Sequence, residues 1–231
     1  MPYLRLRQVC LVAARLAPAA AAIEARLGLR ECYRDPNVAK YGLENVLFPI
    51  GTDFLEIVAP TRPGTAAGRF LERHGGRHGY MAIFDCDDPE ARGRHCESIG
   101  VRVAHRIRHG AYLGVQLHPK DTGAAMIEFN RTEGGEAPTG AYGPAGPDWQ
   151  GAIRRDVARR MLAIEISAPD PAALEARWTA ILQRRPGALD AGAVRFVAGE
   201  EEALTGIVVE AADRARAGEV FETAGVRFRL A

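Results

Sequence analysis

The chain contains an internal repeat, and this repeat constrains the fold more than any other feature of the sequence. In three places an apolar, strand-like run leads into a proline that begins a helix-forming stretch: Pro18, Pro89 and Pro171. Proline at the first helical position costs no hydrogen bond, because the N–H there would be unpaired. Asp88 and Asp170 precede their prolines as N-cap residues. Near the end of each predicted helix a glycine leads into a new strand, so the sequence predicts repeated strand–helix–strand units.

A fourth, degenerate copy is predicted near the end of the sequence. Strand-like residues 206–209 lead into a helix predicted over 213–224, and residues 226–228 repeat the Val-Arg-Phe of residues 194–196. The first two units are longer, because each continues into a further strand pair joined by a turn rich in Gly, Pro or Asp. We therefore predict an α+β fold with two βαβββ modules, which form a curved mixed sheet, followed by two abbreviated βαβ modules.

The change from long to short units predicts the domain boundaries. Residues 132–151 are rich in Gly and Pro and lack apolar periodicity, which is typical of a linker. We expect a domain of two βαβββ modules over residues 1–131, this linker, and a degenerate C-terminal half over residues 152–231. That half is expected to cover the N-terminal sheet or to wall a pocket. At 231 residues and 47% hydrophobic content, the chain can bury a sizeable core.

Four polar residues occupy related positions in the two long units. When these units are superposed on their prolines, Gln8 falls within one position of His78, and Glu56 falls within one position of Glu128. Each carboxylate interrupts an apolar strand. A carboxylate in such a strand needs a hydrogen-bond partner, a counter-charge or a metal ion. The repeat therefore predicts that these four side chains lie close to one another.

This pattern resembles the vicinal-oxygen-chelate superfamily, in which two such units form a cup around one metal ion. The resemblance covers residues 4–131 and implies that one divalent ion is bound by a quartet with the glyoxalase I pattern: Gln8, Glu56, His78 and Glu128. Oxygen-rich ligation with one imidazole suits zinc, nickel, cobalt, manganese or iron, and the sequence does not choose among them.

The resemblance also implies a function for the cup. It predicts a metal-dependent lyase or isomerase that acts on a small substrate with vicinal oxygens and stabilises an enediolate. Glu128 is expected to be the general base and Glu56 its counterpart on the opposite face. Residues 117–123 resemble methylmalonyl-CoA epimerase, although that enzyme has a glutamine where this chain has Glu56. His118, at the turn in this stretch, is predicted to contact the substrate.

Two other functions stay open at this point. The first is a metal-free protein that binds or sequesters a small molecule in the same cup. The second is a ring-cleaving dioxygenase, whose resemblance calls for two histidines and one carboxylate on iron. Gln8 replaces one of those histidines, which disfavours this alternative.

Charge and cysteine content limit the partners and the compartment. The formal net charge is +1, which argues against nucleic acid or an anionic membrane surface and favours a small-molecule partner. The four cysteines lack Cys-x-x-Cys spacing, and no stretch reaches the ~20 apolar residues of a membrane span. We expect a cytoplasmic protein, either a monomer or a homodimer, and expect its N-terminal residues to be part of the mature fold.

Overall fold

The computed structural model describes residues 2–231, which form two mixed β-sheets flanked by helices. The larger sheet has the strand order β2-β3-β1-β4-β7-β6-β5. Its strands are β1 (Leu4–Val12), β2 (Leu43–Ile50), β3 (Asp53–Pro60), β4 (Met81–Cys86), β5 (Val103–His109), β6 (Tyr112–Leu117) and β7 (Met126–Thr132). We call this the cup sheet.

Three of the five helices begin within two residues of the predicted prolines, and the two shortest helices were not predicted. The five helices are α1 (Leu16–Leu27), α2 (Ala66–His74), α3 (Pro89–Ser98), α4 (Pro119–Thr122) and α5 (Pro171–Leu182). The predicted N-caps are present in α3 and α5, where the carboxylates of Asp88 and Asp170 accept hydrogen bonds from backbone N–H groups at 2.9 and 3.0 Å. None of the helices in residues 2–231 is long and apolar enough to cross a membrane.

The cup sheet is built from two related halves that meet at its centre. β1 pairs antiparallel with β4, and each of these strands pairs in parallel with the last strand of its own unit. The second unit is a complete βαβββ module. In the first unit, an isolated bridge between Tyr33 and Leu47 and the 3-10 helix Pro36–Tyr41 take the place of the second strand. The predicted fold class is confirmed.

The C-terminal sheet repeats this central pairing in a smaller form. Its order is β11-β12-β10-β8-β9, and β8 and β10 pair antiparallel at its middle, as β1 and β4 do in the cup sheet. Its strands are β8 (Ala158–Ala168), β9 (Val194–Ala198), β10 (Ala203–Ala211), β11 (Val220–Thr223) and β12 (Val226–Leu230).

The helix predicted over residues 213–224 is wrong. A 3-10 turn spans Arg214–Arg216, and the chain then enters β11. Gly218 has a φ of 96°, which ends helical geometry, and the β-branched Val220 favours a strand. The rings of Phe221 and Phe228 stack across the strand pair with centroids 4.9 Å apart, which stabilises the hairpin.

One hydrophobic core joins the two sheets. It contains buried residues of β1, of helices α1, α3 and α5, and of β8, β10 and β12. The C-terminal sheet therefore covers the helix-bearing face of the cup sheet. Residues 132–151, predicted as a linker, pack against the opposite face through the buried side chains of Tyr142 and Trp149. The domain boundaries at residues 131 and 152 stay a prediction.

The buried Trp178 of α5 allows a test of whether the two halves share one core. Its fully buried indole lies edge-on to Phe84 and Phe196, and its Nε1 donates to the Thr122 carbonyl at 2.9 Å. Trp178→Ala should lower the free energy of unfolding by about 3–5 kcal/mol, measured by urea titration, because it leaves a cavity between the two halves. Val220→Ala, at a side chain exposed on β11, is the matched control. A loss below about 1 kcal/mol in Trp178→Ala would contradict a shared core.

Candidate functional site

A cavity of about 420 Å³ lies on the face of the cup sheet opposite the main core. Apolar side chains form much of its wall, and a group of polar side chains lies at its floor. The apolar set includes Cys10, Val58, Met81, Ile83, Ile107 and Met126. The polar set includes Gln8, Glu56, Tyr112, Gln116 and Glu128.

A β-bulge in β1 turns Gln8 into the cavity. Leu6 and Val9 both point into the main core, although strict alternation along a strand would place them on opposite faces. The register between β1 and β4 shifts between Leu6 and Gln8, so Arg7 and Gln8 both face the cup. The guanidinium of Arg7 lies over the rings of Phe54, Tyr142 and Trp149 on this side.

Glu56 lies on β3 beside Cys10 of β1 and is almost completely buried. Its Oε2 accepts a hydrogen bond from Gln8 Nε2 at 2.8 Å, and its Oε1 accepts one from Asn45 Nδ2 at 2.7 Å. Burial nevertheless raises the pKa of Glu56, because these hydrogen bonds offset only part of the cost of removing the charge from water.

Glu128 occupies the related position on β7, beside Ile83 of β4. Its oxygens accept hydrogen bonds from the Tyr112 hydroxyl and from Gln116 Nε2, the latter at 2.7 Å. Burial also raises the pKa of Glu128, and the hydrogen bonds from Tyr112 and Gln116 oppose that shift.

Tyr142 connects the two carboxylate sites. Its hydroxyl donates to Gln8 Oε1 at 2.9 Å and accepts from Asn130 Nδ2 at 3.1 Å, while Asn130 also reaches Glu128 at 3.5 Å. A continuous hydrogen-bonded chain therefore runs from Glu56 through Gln8 and Tyr142 to Glu128. Buried polar groups linked in this way favour a single arrangement, although Asn130 Oδ1 has no partner within the network.

Sequence reasoning missed several members of this network. Gln116 lies directly opposite Glu128 in the β6–β7 pair, and Asn45 lies on β2, which pairs with the strand of Glu56. A polar residue in an apolar strand across a hairpin from a carboxylate was the signal that could have found Gln116. Tyr142 gives no comparable signal, because it belongs to the Gly- and Pro-rich segment that the sequence predicts to be a linker.

Comparison with solved structures identifies the fold. A hypothetical protein from Staphylococcus aureus superposes with a TM-score of 0.70 at 12% identity, over 99% of this chain and 98% of its own. Methylmalonyl-CoA epimerase from Streptomyces coelicolor, in complex with 2-nitronate-propionyl-CoA, superposes with a TM-score of 0.52 at 22% identity, over 58% of this chain and 98% of its own. The epimerase from Mycobacterium tuberculosis gives 0.50 at 24% identity, over 55% and 87%.

The chain has the vicinal-oxygen-chelate fold. At these identities the similarity shows the fold alone. No protein-family model matches the sequence, and no curated protein matches it. The chemistry of the vicinal-oxygen-chelate cup in this chain therefore depends on its own residues.

Three residues of the predicted quartet line the cup, and the fourth does not. Gln8, Glu56 and Glu128 line the cavity, whereas His78 lies outside it, before β4 begins. The Nε2 atom of His78 is 3.2 Å from an oxygen of Glu201, and burial lowers the pKa of His78. The structure therefore corrects the prediction that His78 joins the other three.

The register of the vicinal-oxygen-chelate cup shows what stands in place of the imidazole. Cys10 lies beside Glu56, and Ile83 lies beside Glu128, so Cys10 and Ile83 are equivalent. The counterpart of Gln8 is then Met81, two residues before Ile83. Superposition on the prolines missed this equivalence because Pro18 is the third residue of α1, whereas Pro89 is the first residue of α3.

His118, predicted as a substrate contact, also lies away from the cup. It caps α4, where its Nδ1 accepts a hydrogen bond from the Lys120 backbone N–H at 3.2 Å and lies 3.4 Å from an Arg102 nitrogen. It is absent from the residues that line the cavity within the described chain. The turn that carries His118 packs towards the C-terminal half, where Trp178 donates to Thr122.

The residues of the cup do not fit the metal centre that the glyoxalase pattern implies. A thioether, from Met81, stands where that pattern requires an imidazole, and thioethers suit softer ions than an oxygen-rich site does. An amide N–H of Gln8 points at Glu56, and the amide oxygen of Gln8 already accepts from Tyr142. The oxygens of both carboxylates likewise accept hydrogen bonds from protein donors.

The raised pKa of Glu56 predicts how stability depends on pH. Because the folded state holds this proton to higher pH than the unfolded state, the stabilisation is complete below the ordinary carboxyl pKa of 4.5 and is lost as the pH rises through the folded-state pKa. Glu56→Gln cannot titrate. Its unfolding free energy should therefore fall less than that of the wild type between about pH 5 and about pH 8.

The control for this measurement is Glu44→Gln, at an exposed carboxylate on β2. Both variants are unfolded with urea at the two pH values. The same decline in Glu56→Gln as in the wild type would show that Glu56 does not carry a raised pKa.

Proposed function

We propose that the chain binds a small, largely apolar molecule in the vicinal-oxygen-chelate cup, and that binding does not require a metal ion. The observation that carries this proposal is Met81 at the register position of the missing imidazole, beside carboxylates that protein donors already satisfy. The thioether at position 81 and the hydrogen bonds to the two carboxylates both follow from the residues that the chain carries.

The size and lining of the cavity support a small ligand. Its volume of about 420 Å³ lies in the range of roughly 300–1,000 Å³ that is typical of small-molecule sites. Apolar side chains provide most of its wall, while Gln116 and the two carboxylates offer a few fixed polar contacts at the floor. Such a site favours a ligand with an apolar body and a polar group that enters first.

The cup of this chain supports the other two functions less well. A metal-dependent lyase or isomerase of the glyoxalase type needs the quartet, which the cup does not assemble. A ring-cleaving dioxygenase needs two imidazoles and one carboxylate, and Gln8 and Met81 stand at the related strand positions.

Metal-independent proton transfer is a second candidate. Glu56 and Glu128 line one cavity from equivalent strands, and burial raises the pKa of both carboxyl groups, which is how proteins tune carboxylates for acid–base work near neutral pH. One carboxylate would take a proton from an acidic carbon of the bound molecule, while the other would return a proton to the opposite face. The similarity in fold to an epimerase agrees with this candidate.

Filling the cavity tests the binding proposal. Met126 lines the cavity and is only partly buried, so Met126→Trp should fit into the open space without unfolding the chain. The affinity for anilinonaphthalene sulfonate, measured by fluorescence titration, should fall by at least about tenfold, and chelation with EDTA should leave the wild-type affinity unchanged.

Val220→Trp, at an exposed side chain on β11, is the matched control and should keep the wild-type affinity. Probe binding that survives Met126→Trp would place the ligand elsewhere. Probe binding abolished by EDTA would show that the site depends on a metal ion.

A further inference from the structure

A separate cluster of ligating side chains lies outside the cup, where the two halves of the chain meet. His74 ends α2, His78 precedes β4, and Glu201 lies in the turn between β9 and β10. One donor atom from each residue lies within 4.8 Å of the other two. We propose that these three residues bind a divalent transition-metal ion of the zinc class and that the ion clips the C-terminal half to the N-terminal half.

The His74–His78–Glu201 cluster is compact enough that small side-chain rotations would bring three donor atoms to one metal ion. A tetrahedral zinc ion with ligands at 2.0–2.1 Å holds neighbouring donor atoms about 3.4 Å apart. His78 Nε2 is 3.2 Å from Glu201 Oε1, and the other ring nitrogen of His78, Nδ1, is 3.3 Å from His74 Nδ1. Because one ion binds only one nitrogen of an imidazole, His74 or Glu201 has to turn towards the nitrogen that His78 uses. The side chain of Glu201 is half exposed and free to rotate towards a shared ion.

The backbone holds His78 in place before any ion binds. His78 has a φ of 77°, a left-handed backbone conformation that residues other than glycine rarely adopt. Its N–H donates to the Gly225 carbonyl at 3.0 Å, and the N–H of Gly79 donates to the Leu204 carbonyl at 2.8 Å. Both acceptors belong to the C-terminal half. The same contacts that impose this costly conformation therefore aim the imidazole at the turn that carries Glu201.

The chemistry of the donor set selects the class of ion. Two imidazoles with one carboxylate suit zinc, cobalt, nickel or copper, whereas magnesium and calcium prefer oxygen ligands alone. Three protein ligands leave a fourth position, which the exposure of Glu201 directs towards solvent. The ring of His74 packs on Phe70, and Phe70 packs on Tyr80 at the cavity wall, so the cluster lies beside the cup without entering it.

Zinc binding by the full chain, without a histidine tag, tests this proposal. Competition against a chromophoric chelator should give one zinc ion per chain, and zinc should raise the midpoint of thermal unfolding because it binds only the folded state. His74→Asn and Glu201→Gln should each weaken zinc binding by at least about tenfold and remove most of the thermal shift.

Two controls make the assignment specific. Glu202→Gln changes the neighbouring carboxylate, which pairs with Arg177, and should bind zinc as the wild type does. Glu56→Gln, in the cup, should do the same. Absence of zinc binding by the wild type, or equal binding by Glu201→Gln and Glu202→Gln, would overturn the proposal. Loss of binding in Glu56→Gln would overturn it too, because the ion would then lie in the cup.

Discussion

The antiparallel pairing of β1 with β4 is the contact on which the rest of the structure depends. It places two related units side by side, so that Glu56 and Glu128 reach the same cavity from equivalent strands. The bulge at Arg7 within this pair lets the start of β1 fill the main core while Gln8 turns into the cup. The C-terminal sheet repeats the same central pairing with β8 and β10 and covers the helix-bearing face. Each of the two sheets is therefore built around a central antiparallel strand pair, and in the cup sheet this pair brings the two carboxylates to one cavity.

Burial of two carboxylates sets the chemistry of the cup. Removing a carboxylate from water is costly unless hydrogen bonds replace the lost solvation. This chain replaces it with amide and phenol donors: Gln8 and Asn45 for one carboxylate, Tyr112 and Gln116 for the other. These donors satisfy the oxygens that a metal ion would otherwise use. Burial still raises the pKa of both carboxyl groups, a shift that is common in carboxyl groups that exchange protons with a bound molecule.

The sequence predicted the parts of this structure that local rules determine. The prolines and aspartates located α3 and α5, and the carboxylates in apolar strands located the floor of the cup. The remaining parts depend on register and on tertiary contacts, which local patterns do not encode. A small difference in where Pro18 and Pro89 stand in their helices shifted the expected ligand from Met81 to His78. Tyr142 reaches Gln8 from a Gly- and Pro-rich segment whose packing only the folded chain reveals.

The central claim, that the cup is not a metal site because Met81 replaces an imidazole, is tested most directly by restoring that imidazole. Met81→His in a Glu201→Gln background, which weakens zinc binding by the proposed His74–His78–Glu201 cluster, is compared with Ile107→His, a cavity-wall control, in the same background. Zinc content is measured by elemental analysis after dialysis. The account predicts near-stoichiometric zinc in Met81→His and little zinc in the Glu201→Gln background, with or without Ile107→His. Stoichiometric zinc in that background, lost on further substitution of Glu56 and Glu128 by alanine, would contradict it.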